Sequence, residues 1–69
     1  MKAMTLFKWD AFIDAEGRCE NYWLHGYTAT EFGIWDAKRN VKKELEESGD
    51  KYLDLKVERI GYVTLDEAA

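Results

Sequence analysis

Cys19 and His25 are the only residues of their kinds in this 69-residue sequence, and together they suggest a nucleophile and its base. Both fall on one expected strand, Cys19 to about Tyr27, and point to the same side of it. Six residues at ~3.3 Å rise hold them roughly 20 Å apart, so they cannot act as a pair. A lone cysteine also precludes an intrachain disulfide. One Cys with one His precludes a zinc site built from those two types. The sequence contains no Gly-rich phosphate loop, no HExxH and no GxSxG. An enzyme therefore has little support, and neither a cofactor nor a metal is expected.

Two charged groups have the composition of binding sites. Asp10, Asp14, Glu16 and Glu20 surround the first turn. They lack the spaced Asp/Asn series and closing Glu of a calcium loop, so a solvated turn is expected. Lys38, Arg39, Lys42 and Lys43 form the one basic run, the natural candidate for nucleic-acid contact. Glu46 and Glu47 stand four residues beyond Lys42 and Lys43, and local ion pairing is the expected explanation of that run. The net charge of −4 repels phosphate backbones, which leaves a small nucleic-acid-binding regulator as the alternative reading.

The elements that must position these residues follow from periodicity. From Thr5 to Asp14 the chain alternates, with Phe7, Trp9, Ala11 and Ile13 on one face and Lys8, Asp10, Phe12 and Asp14 on the other, as in a half-buried strand. Asp14 to Arg18 reads as a hairpin loop with Gly17 at positive φ, and a second aromatic strand follows over 19–27. Thr28-Ala29-Thr30-Glu31 matches the spelling of a capping box, with Thr30 a competing N-cap. A helix is expected over 30–48, burying Gly33, Ile34, Ala37, Val41 and Leu45, and Gly49 supplies its C-terminal stop. The third strand is expected over 52–60, with a bulge or bend at Gly61, and 62–65 either extends it or forms a short fourth strand. A right-handed crossover then gives a single α+β domain, ββαβ, with sheet order 2-1-3 and one helix on one face.

Composition sets the functional question. Hydrophobic residues make up 46% and aromatics 14% of the chain, which argues for a folded domain despite 35% charged residues. No apolar run approaches the ~18 residues of a membrane span, and the first residues lack a signal-peptide core. With its lone thiol the chain reads as cytoplasmic. One helix covers one face of a sheet, so large side chains must remain on the other. Trp23, His25 and Tyr27 share one face of strand two, opposite Tyr22, Leu24 and Gly26. Phe12, with Tyr52 or Ile60, belongs to the open side. On the helix, Phe32 and Trp35 lie outside the buried stripe beside Arg39. They either fold over the sheet edge and loop or stand exposed as a cluster with the composition of a binding hot spot. A protein partner, a homodimer through the open face, and strand addition at the edge of strand two are the three uses expected of such surfaces.

The run Tyr27-Thr28-Ala29-Thr30-Glu31 leading into the helix, followed by Leu53-Asp54-Leu55-Lys56-Val57-Glu58-Arg59-Ile60, resembles a layout common in very small phage-encoded proteins. Host RNA-polymerase inhibitors and some anti-CRISPR proteins are similar in this arrangement. The resemblance implies a non-enzymatic inhibitor of a host protein complex in the host cytoplasm, acting by steric occlusion. It carries over no individual functional residue.

Overall fold

The computed structural model describes residues 2–65. Three strands and one helix follow in the order β1 (Lys2–Asp14), β2 (Tyr22–Thr30), α1 (Ile34–Glu47) and β3 (Lys51–Leu65). The sheet order is β2-β1-β3 with β1 central and antiparallel to both neighbours. This is the expected ββαβ layout, with β2 and β3 running parallel on either side of β1 and α1 making the crossover.

The alternation in β1 decides which face receives the helix. Phe7, Trp9, Ala11 and Ile13 are all buried, and Trp9, Ala11 and Ile13 join Val41 and Leu45 of α1 in the core. Leu24, Leu55 and Val57 pack against that cluster from the flanking strands. Burying a Leu, Val or Ile side chain contributes roughly 1.5–3 kcal/mol, so these few residues dominate the hydrophobic stabilisation. Leu24 pairs with Ala11 and Gly26 with Trp9, so strand two turns Leu24 and Gly26 toward the helix. Trp23, His25 and Tyr27 point to the open side.

Several boundaries differ from the sequence-based expectation, beginning with β1, which starts at Lys2 rather than Thr5. The helix begins at Ile34, because Thr28 and Thr30 are held in the β1 ladder opposite Phe7 and Thr5. Gly33 is the N-cap and makes no side-chain cap bond. Thr30 instead bridges the junction: its hydroxyl accepts from the Phe32 amide at 3.1 Å and donates to Asp36 at 3.2 Å. The buried stripe is Ala37, Val41 and Leu45; Gly33 and Ile34 are exposed. At the other end the expected stop holds. Gly49 has φ 76°, and the Asp50 and Gly49 amides close a Schellman motif on Leu45 and Glu46.

The β1–β2 loop is longer than the expected turn, because Cys19 to Asn21 are not in the strand. The Arg18 amide bonds the Ala15 carbonyl at 3.1 Å, and the Asn21 side chain accepts from the Ala15 amide at 3.0 Å. Gly17 takes φ 80° as expected. β3 is one strand of 15 residues rather than two. Its register against β1 slips twice, leaving Ile60 and Leu53 as unpaired bulge residues. Leu53 is thereby thrown out of the Leu55–Val57 face and is exposed. Tyr52, opposite Ile13, lies on the helix side, not on the open face where the sequence had suggested it.

Candidate functional site

Two groups of exposed aromatics stand out once the core is filled, with Tyr22, Tyr52 and Tyr62 exposed outside them. The first lies at the start of α1. Phe32 is 66% exposed and Trp35 77% exposed, so neither folds over the sheet edge nor packs into the loop. The side chains around them are held in place. Arg39 pairs with Asp36 at 2.9 Å, and Asp36 is fixed in turn by Thr30. The Lys38 ammonium stands 4.9 Å from the Trp35 ring centroid, a cation–π contact. Exposed Phe32, just before the helix, and Trp35, on its first turn beside Lys38, thus stand with Arg39 at the start of α1.

Further along the same helix, Lys42 and Lys43 are exposed. Their expected ion pairs with Glu46 and Glu47 do not form. Among the described residues neither lysine is one of the paired cations, which include Arg18 with Glu16, Arg39 with Asp36 and Lys51 with Glu16, with His25 against Asp10. Two flexible lysines opposite exposed glutamates lose more side-chain freedom than a solvent-screened contact returns. Lys38, Arg39, Lys42 and Lys43 are thus interleaved with Asp36, Glu44, Glu46 and Glu47, four basic side chains against four acidic ones.

The second group lies on the open face of the sheet. Phe12 and Trp23 are opposite one another in the ladder, with ring centroids 5.1 Å apart and planes tilted by 40°. Lys56 reaches across from β3 to stand 5.1 Å from the Trp23 centroid. Tyr27, 66% exposed, continues the row beside Lys8. Between them His25 lies opposite Asp10, and its Nδ1–H donates to the Asp10 carboxylate. That hydrogen bond holds the Asp10 carboxyl below its ordinary range, with Lys8 and Lys56 adding to the effect. Lys8, Asp10, Trp23, His25 and Lys56 line a shallow concavity of about 310 Å³.

The Asp10–His25 pair is the functional-looking feature that sequence reasoning missed. An imidazole oriented by a carboxylate is half of a general-base arrangement, but no hydroxyl or thiol lines this concavity. Cys19 lies elsewhere, in the loop, lining a separate concavity of about 250 Å³ with Arg18, Tyr22 and Lys51. Cys19 and His25 are thus on different parts of the molecule. The hairpin carboxylates are engaged locally: Asp14 accepts from the Glu16 amide, and Glu16 pairs with Lys51 at 2.6 Å. Lys51 is raised above the usual lysine value by that contact.

No helix among the described residues is long and apolar enough to cross a membrane. Comparison with protein-family models, with curated proteins and with solved structures finds no match to this chain.

Proposed function

We propose that this chain is a non-enzymatic protein-binding module, a phage or mobile-element inhibitor that occludes a host protein complex from within the host cytoplasm. The observation that carries the reading is the solvent exposure of Phe32 and Trp35 beside Lys38 and Arg39. Folding explains neither aromatic, since the core of α1 is complete with Ala37, Val41 and Leu45. Aromatics with arginine are the residues that dominate binding energy at protein interfaces. The surrounding cations suit a partner surface that is acidic. The open face, with Phe12, Trp23 and Tyr27, is a second contact area for the same partner.

The test is capture of partners from host lysate by wild type and by two double variants, Phe32→Ala/Trp35→Ala and Trp23→Ala/Tyr27→Ala. Hot-spot truncations cost about 2 kcal/mol or more each, a roughly 30-fold loss of affinity. The helix double variant is therefore expected to lose the captured complex while keeping its fold by circular dichroism. Undiminished capture by both variants removes the reading. The alternative, nucleic-acid binding through Lys38, Arg39, Lys42 and Lys43, draws support from the unpaired Lys42 and Lys43. It requires binding to labelled oligonucleotide that falls steeply with salt.

A further inference from the structure

The two edges of the sheet are built differently. The outer edge of β3 is guarded. Its register breaks at Leu53 and Ile60, and the six residues between them include Asp54, Lys56, Glu58 and Arg59. Bulges and charges of this kind are how edge strands are kept from pairing with other chains. β2 has none of these devices. Its nine residues, Tyr22 to Thr30, contain no Lys, Arg, Asp, Glu or Pro, and pair with β1 in one unbroken register. The one titratable imidazole on it, His25, is drawn across to Asp10 on β1. One side of the β2 backbone meets no other strand, and Tyr22, Trp23 and Tyr27 stand exposed along it.

We propose that β2 pairs antiparallel with β2 of a second copy, making one six-stranded sheet across a two-fold axis at Gly26. This register overlaps all nine residues and keeps like-facing positions opposed. His25 meets Tyr27 of the other copy, Trp23 meets Ala29, and Leu24 meets Thr28. The occupant is a second copy for three reasons. The β2 edges bring no Lys, Arg, Asp or Glu of one copy against the other, and the one ionisable imidazole on each is already paired with Asp10. Each molecule has one unguarded edge, so the assembly closes at two and does not grow into a filament. A domain of this size without disulfide or metal gains most from self-association. The geometry also accommodates both helices on one side. Three strand spacings of ~4.8 Å put the two β1 strands about 14 Å apart, and packed helices need about 8–10 Å.

This pairing uses the chain alone, so its outcome is independent of partner capture. Light scattering on the purified protein is expected to give about 16 kDa, twice the 8.1 kDa chain, falling to the single-chain mass for Tyr27→Lys. Tyr62→Lys, on exposed β3, is expected to stay dimeric. In a Cys19→Ser background, His25→Cys/Tyr27→Cys is expected to form an intermolecular disulfide on mild oxidation. A single-chain mass for wild type at the highest attainable concentration overturns the proposal. So does a dimer that survives Tyr27→Lys, or one lost in Tyr62→Lys alone.

Discussion

Gly26 shows how one residue type is dictated by a neighbour across the ladder. It pairs with Trp9, whose indole lies over it, and a Cβ built on Gly26 would come within 2.8 Å of Nε1 and closer still to the ring carbons. Trp9 is 4% exposed, so its ring could give way only by moving within the core. Gly26→Ala is therefore expected to destabilise the domain by about 2 kcal/mol through overpacking, read as a lower urea midpoint. Asp10 behaves differently, since its carboxylate is stabilised by charge and hydrogen bonding rather than packing. Its folded pKa is depressed by His25. The contribution is thus present above the unfolded value of about 3.9 and lost as pH falls through the folded one. Asp10→Asn is expected to flatten the acid limb of the stability–pH curve below about pH 4. An unchanged acid limb in thermal melts would show that the His25 contact contributes nothing to folding.

The elements differ in how plainly the sequence announces them. β1 was legible because its inner row, Phe7, Trp9, Ala11 and Ile13, alternates without a fault, and every member is buried. The Ala37, Val41 and Leu45 stripe was legible for the same reason at helical spacing. The helix start was not, since Thr28-x-x-Glu31 spells a cap whether or not its threonines are held in a ladder. Only pairing with Thr5 and Phe7 decides that. The Asp10–His25 contact was hidden by loop length. A turn of the expected size would set Asp10 opposite Trp23, and the two further loop residues bring His25 there instead. Gly61 signals a bulge or bend in the sequence, and the bulge falls on the adjacent Ile60, with the strand extending through 62–65. At the helix start, Gly33 leaves the first amides without a side-chain acceptor, although its φ of −87° and the open space around it suit any residue. Gly33→Ser is expected to stabilise the domain by a few tenths of a kcal/mol, measured as a raised thermal midpoint.

The molecule as a whole is longer than its helix can cover. Its principal extents are 46 × 23 × 15 Å and its radius of gyration is 13.8 Å, against about 11 Å for a compact chain of this size. A 14-residue helix spans roughly 21 Å, whereas the 13 residues of β1 span roughly twice that. The sheet therefore overhangs, and Ala3, Tyr62 and Thr64 stand exposed on the projecting end. This disproportion, together with the single-sided helix cover, is the reason so many aromatics remain at the surface of so small a domain. It also divides the three tryptophans into two kinds. Trp23 and Trp35 are wet, while Trp9 is sealed against Gly26 with its Nε1 unpartnered. A chain carrying Trp9 alone, with phenylalanine at the other two positions, would hold one fluorophore in the dry interior. Its emission would report the integrity of the core directly, free of signal from the exposed surfaces.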